Sequence, residues 1–305
     1  MDQSEIRKDY FQNKYVIIAP KRAKRPQKVL KKEEATSTPC YFCPEQVDKE
    51  FIVAKDPKAG QAWKILTVLN KYPALTEDNH EAFGRQEVII ETPDHAKEIH
   101  ELPLDHIEKI IDTYIDRYEA MKKIEEIKYV IVFKNEGGKA GASIAHSHSQ
   151  IIALPIVPPD LKTEYEAYAD YFVENGRCPY CDIIDKEKKS NLVIWEDSHF
   201  FVLSPSASQY PYGAYFLPKR HFKTMSDMNI QEKQSLAKAL KKVLAKLDDV
   251  DMAYNYFFHS AVNNEDYHMH LKLEPRPNIW AGLELGTGII INTVPPEDAA
   301  KFYRQ

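Results

Sequence analysis

His146-Ser147-His148-Ser149-Gln150 leads into the apolar run Ile151-Ile152-Ala153-Leu154, and His268-Met269-His270 leads into Leu271-Lys272-Leu273. In both, two histidines flank one residue at the head of a strand-like stretch, so in extended chain they share a face. Working back from each pair meets the same markers. Cys40-Tyr41-Phe42-Cys43 is followed by His95 after 55 residues and by His146 after a further 51. Cys178-Pro179-Tyr180-Cys181 is followed by His221 after 43 and by His268 after a further 47. Each half therefore runs C-x-x-C, a single His shortly after a Pro, then H-x-H. This is an internal duplication.

These are all four cysteines of the chain. With the polar start Met1-Asp2-Gln3-Ser4-Glu5 and no export signal, a cytoplasmic protein with reduced thiols is expected, and structural disulfides are not. Neither C-x-x-C reads as opening a helix in a thioredoxin-like unit, which argues against a redox dithiol. Two thiolates and two imidazoles per half make a complete tetrahedral zinc set with no position left for water. Two closed structural zinc sites are expected: Cys40, Cys43, His95 and His146 in one, Cys178, Cys181, His221 and His268 in the other.

The 305 residues suit two domains, and 43% hydrophobic content supports real cores. A formal charge of −5 argues against bulk nucleic-acid or anionic-membrane binding. No apolar run approaches the ~18 residues of a spanning helix. Tyr15–Ala19, Glu87–Glu91, Tyr129–Phe133 and Gln150–Leu154 read as strands. So do Leu192–Trp195, Phe200–Leu203, Ala214–Leu217, Tyr254–Phe258 and His270–Leu273. Helical spacing marks Leu104–Ile124, Ile230–Leu247 and Lys162–Glu174. Several strands around one long helix per half give an α+β fold with a mainly antiparallel sheet. The Pro-rich Pro155–Pro159 places a boundary between residues 1–158 and 159–305.

If a metal holds His146, its strand is clamped and His148 is presented in a fixed position, with Gln150 on the same face. A neutral imidazole attacks phosphorus only when one ring nitrogen is free and the other is hydrogen-bonded, which sets the tautomer. A nearby backbone carbonyl would serve. Gln150 would donate to a phosphoryl oxygen. Upstream lies Asn135-Glu136-Gly137-Gly138-Lys139-Ala140-Gly141-Ala142-Ser143, which holds three of the chain's ten glycines. Such backbone can bring N–H groups close to phosphate. The second half has Asn263-Asn264-Glu265-Asp266-Tyr267 there instead, so the chemistry is expected in the first half. Residues 21–32 are the most basic window, and in it Arg22 and Arg25 can grip phosphate bidentately.

Taken together, these residues resemble the galactose-1-phosphate uridylyltransferase family of the histidine-triad superfamily. The likeness spans nearly the whole chain, through Arg22-Ala23-Lys24-Arg25-Pro26, Asn70-Lys71-Tyr72-Pro73-Ala74-Leu75, Glu91-Thr92-Pro93-Asp94-His95, H-x-H-x-Q, Leu217-Pro218-Lys219 and Gly282-Leu283-Glu284. The resemblance implies two histidine-triad-like modules in a half-barrel, a homodimer, and structural metals. It also implies ping-pong transfer of a nucleoside monophosphate through a covalent nucleotidyl-His148 intermediate. By the same resemblance Gln150, Asn135, Gly141 and Ser143 hold the phosphates, and Arg22 and Arg25 the acceptor phosphate. Asn70 lies in the nucleoside segment, and Glu284 meets sugar hydroxyls.

The leading expectation is a hexose-1-phosphate uridylyltransferase, with a UDP-sugar donor and a sugar-1-phosphate acceptor. Ser147, where better-known members carry Pro, and the Ile289-Ile290-Ile291 run, where they carry a sugar-binding Gln, keep an alternative open. That alternative is an adenylyltransferase with inorganic phosphate as acceptor and ADP-sugar or adenylylsulfate as donor. The remote third reading is a zinc-stabilised binding module without catalysis.

Overall fold

The structure is a computed structural model that describes residues 5–18, 40–60, 62–262 and 265–305. Arg22 and Arg25 lie outside the described residues. Ten strands form one antiparallel sheet. From the first half come β3 (Ile52–Asp56), β4 (Ile65–Leu69), β5 (Arg85–Ile90), β6 (Tyr129–Glu136) and β7 (His148–Leu154). The second half supplies β8 (Val193–Glu196), β9 (Phe200–Leu203), β10 (Ala214–Pro218), β11 (Tyr254–His259) and β12 (His270–Pro275). The spatial order is β3-β4-β5-β7-β6-β11-β12-β10-β9-β8. Read inward from either edge, each half adds its strands as first, second, third, fifth, fourth. The duplication seen in the sequence is thus a pseudo-twofold arrangement about the β6–β11 seam, where Phe133 faces Phe257 and Asn135 faces Asn255. The sheet does not close into a barrel. β1 (Glu5–Lys8), β2 (Tyr15–Ile18) and β13 (Ile290–Asn292) form a second, small sheet in which β13 runs parallel to β2, tying the two ends of the chain together.

One face of the large sheet carries α1 (Leu104–Lys122) and α4 (Ile230–Asp248), which touch each other. Their apolar stripes follow helical spacing: Ile107, Ile110, Ile111 and Tyr114 on α1, Leu236, Leu240, Val243 and Leu247 on α4. α4 starts where Asn229 accepts from the Glu232 N–H at 2.9 Å and the Glu232 carboxylate accepts from the Asn229 N–H at 2.8 Å. Both stripes enter one core with Val130, Val132, Ile151, Phe216 and Leu271. Each fully buried aliphatic side chain there contributes about 1.5–3 kcal/mol. That shared core joins the halves.

The opposite face differs between halves, and this asymmetry positions the site. Period-two alternation sends Phe200 and Val202 into the helix-covered core and Phe201 and Leu203 to the other side. There α2 (Pro159–Asn175) and α3 (Pro179–Glu187) lay Tyr168, Tyr180 and Ile183 over the second half. Among the described residues the first half has there a small apolar cluster, Leu66, Val68, Val88 and Ile90 with Phe42 and Trp63 packed against it, and Tyr129 joins Leu161 of α2 and Val262 in another. α5 (Gly282–Thr287) and α6 (Pro296–Arg304) complete the chain. Among the described residues no helix is long and apolar enough to cross a membrane.

Candidate active site

The two Cys/His sets predicted from the sequence assemble. In each, one ligand atom from every residue lies within 4.8 Å of the others. In the first, His146 Nδ1 is 3.7 Å from Cys40 Sγ and 3.8 Å from Cys43 Sγ, and His95 Nδ1 is 3.5 Å from Cys43 Sγ. In the second, His268 Nδ1 is 3.5 Å from both Cys178 Sγ and Cys181 Sγ, and His221 Nδ1 is 3.7 Å from Cys181 Sγ. Tetrahedral bonds of about 2.3 Å to sulfur and about 2.0 Å to nitrogen put S and N about 3.5 Å apart. The donor set and its spacing fit a four-coordinate ion. The far ring nitrogens are placed to donate: His146 Nε2 to Thr92 O (2.7 Å), His268 Nε2 to Pro218 O (2.8 Å) and His221 Nε2 to Asp266 Oδ1 (3.1 Å). Such bonds set the tautomer that leaves Nδ1 for the metal.

One sequence expectation is corrected. Cys178 is the N-cap of α3 and Cys181 lies in its first turn, so this C-x-x-C does open a helix. Pro179 at the first helical position presets the backbone angle for that start. The converging imidazoles of His221 and His268 still mark a metal set rather than an isolated dithiol.

β7 sorts the chemistry by face. His148 and Gln150 point to the face opposite α1 and α4. Ser149 points toward α1, where it meets Tyr114 Oη at 2.5 Å. His148 is 7% exposed, and its Nδ1 lies 2.8 Å from His146 O. Because a carbonyl can only accept, Nδ1 carries the proton and Nε2 has the lone pair. Among the described residues nothing hydrogen-bonds Nε2. Burial, then the nearby Lys134 ammonium, lowers the His148 pKa below the usual imidazole value, which favours this neutral form. The Phe42 ring stands edge-on at 5.0 Å.

Beneath the strand lies a buried network that the sequence reading missed. Lys134 Nζ, fully buried, bonds Glu91 Oε2 (2.8 Å) and Ser147 Oγ (2.9 Å) and reaches His148 O at 3.3 Å. Ser147 Oγ in turn lies 2.7 Å from Glu91 Oε2 and 2.8 Å from Glu98 Oε2. Burial alone would raise the Glu91 carboxyl, but the Lys134 charge and the hydrogen bonds from Lys134, Ser149 and Tyr114 together hold the group below its ordinary value. A signal was present in the sequence: Lys134 follows Val130 and Val132 at period two, a cation on the core-facing side of a strand.

The remaining predicted residues divide. Asn135, on β6, lies on the His148 face: Phe133 pairs with Gln150, and two residues along each strand come Asn135 and His148. The loop after it needs its first glycine, since Gly137 has φ +80° and an added Cβ would sit 2.8 Å from Ala253 Cβ. Gly141 takes a left-handed conformation and is exposed, as is Ser143. Asn70 Oδ1 accepts from the Tyr72 N–H at 2.9 Å, shaping its own turn. Glu284 accepts from the Ala281 N–H at 3.0 Å at the start of α5. Among the described residues no hydrogen bond or ion pair joins Glu284 to His148.

The second-half counterpart, His270, is sealed. Its Nδ1 lies 2.9 Å from His268 O, but Nε2 faces Tyr180 Oη at 3.2 Å and Glu164 Oε1 at 3.3 Å. Glu164 also meets His259 Nδ1 at 3.2 Å and pairs with Lys272.

Comparison with known proteins agrees with this architecture. Residues 164–276 match the family described as galactose-1-phosphate uridyl transferase, C-terminal domain, and residues 19–157 match the DUF4931 N-terminal domain, a domain of unknown function. An ADP-glucose phosphorylase of Arabidopsis thaliana is 33% identical over 99% of this chain and 92% of its own length. The chain belongs to the galactose-1-phosphate uridylyltransferase family. A galactose-1-phosphate uridylyltransferase of Thermotoga maritima is 30% identical over 99% of this chain and 98% of its own length. The crystal structure of an Arabidopsis thaliana ADP-glucose phosphorylase with bound ADP-glucose superposes with a TM-score of 0.88, at 33% identity and 99% coverage of both chains. As a member of the uridylyltransferase family the chain is a nucleotidyltransferase, and its α+β fold is the one this family's relatives share.

Proposed function

We propose that this nucleotidyltransferase moves a nucleoside monophosphate through a covalent bond to His148. The observation that carries the reading is the 2.8 Å contact of His148 Nδ1 with His146 O, which leaves Nε2 as the unshared nitrogen, with no hydrogen-bond partner among the described residues. In the first step Nε2 attacks the α-phosphorus of a nucleoside diphosphate sugar. The P–N bond forms as the P–O bond to the β-phosphate breaks, and the departing sugar 1-phosphate keeps the electron pair. The proton stays on Nδ1, donated to His146 O, and that bond stabilises the positive ring. In the second step an oxygen of the acceptor phosphate attacks the same phosphorus, the P–N bond breaks, and neutral imidazole returns. Gln150 and Asn135 donate to phosphoryl oxygens as charge builds there.

Zinc in both Cys₂His₂ sets is part of the proposal. Four protein donors close each ion's coordination, so its contribution is to lock chain segments together. At the first site this clamps His146, two residues from the nucleophile.

Two donors remain in view. The hexose-1-phosphate uridylyltransferase reading is supported by the Thermotoga relative's name and by the family matched over residues 164–276. Adenylyl transfer to inorganic phosphate is supported by the Arabidopsis ADP-glucose phosphorylase and its structure. The test is to incubate the protein with UDP-glucose, ADP-glucose or adenylylsulfate, each carrying ³²P at the α-phosphate. Labelled protein is then chased with galactose 1-phosphate or with inorganic phosphate. We expect acid-labile label from one donor class, released by the matching acceptor. No label from any donor would reject the covalent mechanism.

A further inference from the structure

An amide side chain binds phosphate only through its NH₂ end, and the two ends of an amide are nearly the same size. Something must therefore fix which end of Gln150 and of Asn135 faces the substrate. Each amide is held by a second amide, and each of those is held by a group that can only donate.

On one side of His148, the Ala74 main-chain N–H donates to Gln86 Oε1 at 3.1 Å. A backbone N–H has no acceptor role, so Gln86 must present its oxygen there and its Nε2 to Gln150. Gln86 Nε2 donates to Gln150 Oε1 at 3.0 Å. Gln150 Nε2 is thereby left as a donor, and among the described residues it has no partner. On the other side, Arg276 Nε donates to Asn255 Oδ1, and a guanidinium cannot accept. Asn255 Nδ2 then donates to Asn135 Oδ1 at 2.7 Å and to Ala140 O at 2.8 Å. The carbonyl of Ala140, an obligatory acceptor, fixes Asn255 from the opposite end. Asn135 Nδ2 is left as a donor without a partner among the described residues. The register puts Asn255 opposite Asn135 on the neighbouring strand.

We infer that Gln86 and Asn255 are positioning residues: Ala74–Gln86–Gln150 and Arg276–Asn255–Asn135 are polarity relays that hold two NH₂ groups on the face that carries His148. The inference rests on the reading of His148 as the group that takes the nucleotide. It gives the second half of the chain a part in the chemistry, because Asn255 lies on β11 and Arg276 directly follows β12. Pre-set donors need no reorientation when charge develops on the phosphoryl group.

Gln86→Glu and Asn255→Asp keep shape but replace a donor by an acceptor. The only satisfying response is for Gln150 or Asn135 to turn its NH₂ end away from the substrate. The measurement is single-turnover transfer of ³²P from whichever of α-labelled UDP-glucose or ADP-glucose labels the wild type. Each variant should transfer about 10²-fold more slowly at saturating donor, with donor affinity, metal content and thermal midpoint near wild type. In a Gln150→Ala background Gln86→Glu should add less than about twofold, and likewise Asn255→Asp in Asn135→Ala, because no amide remains to turn. Rates equal to wild type would overturn the inference. So would slowing of equal size in the Ala backgrounds, which would mean plain charge repulsion. The relays sit on different strands, so a variant of one that fails to fold leaves the other to decide. Label on wild type with unslowed variants rejects the relays alone; no label on wild type rejects the His148 reading and the relays with it.

Discussion

His270 repeats His148 on one side of its ring and not on the other. Both rings set Nδ1 against the carbonyl two residues back, at 2.9 Å and 2.8 Å. His270 Nε2 is then closed off by Tyr180 and Glu164, while among the described residues nothing hydrogen-bonds His148 Nε2. The duplicated histidines should therefore respond differently to replacement.

His148→Asn should abolish transfer of nucleotide to the protein while changing stability by about 1 kcal/mol or less. Metal content should stay at the wild-type value, because His146 and its partners are untouched. Undiminished labelling of His148→Asn would remove its role as nucleophile.

His270→Asn should do the reverse. It empties a fully buried site and strips Glu164 and Tyr180 of a partner, at a cost of about 2–4 kcal/mol. Transfer by the folded fraction should remain near wild type. Denaturant unfolding together with labelling under native conditions separates the two effects.

Protein purified without chelator should carry two zinc ions per chain by elemental analysis. Cys40→Ser should lose one of them and about 3 kcal/mol or more of stability, since binding to a closed site is folding free energy. His148→Asn is the control that retains both. A wild-type content far below two would reject the paired zinc sites.

Acid should destabilise the second half through Glu164 and His259. Burial pushes His259 down to about 3, with Glu164 pulling it up. Burial alone would raise Glu164, but Lys272 and then His259 hold it well below the usual carboxylate value. In both cases the unfolded chain binds protons that the folded chain refuses. The His259 contribution is thus whole above about pH 6.5 and lost as pH falls toward about 3. The Glu164 contribution is whole above about pH 4.5 and lost below it. Stability measured from pH 7 down to pH 4 should fall, and His259→Gln should flatten the slope. An unchanged slope in that variant would count against the assignment.

Much of the molecule was legible in the chain. Ile107, Ile110, Ile111 and Tyr114 marked α1 because helical periodicity needs no tertiary information, and Leu236, Leu240 and Val243 did the same for α4. The Cys/His spacing named eight residues that converge as two sets. Other elements escaped. β3, Ile52–Asp56, ends in Lys55 and Asp56 and is paired along one edge only, so its pattern is weak. α3 has nine residues, too few for periodicity to show, and starts inside the C-x-x-C. Gln86, Asn255 and Arg276 carried no sequence mark, because amides and arginines on strands are ordinary surface residues until their partners are known.

Local chain chemistry alone marked the repeat, the metal-type ligand sets and the long helices, since each depends on residues close in sequence or on spacing that recurs. Folding decided the rest. It made one sheet by joining β6 to β11, set Tyr180 and Glu164 against His270 Nε2 while giving His148 Nε2 no such partner among the described residues, and oriented the amides beside it. Hydrogen-bond direction along Ala74–Gln86–Gln150 and Arg276–Asn255–Asn135 exists only when strands distant in sequence lie side by side.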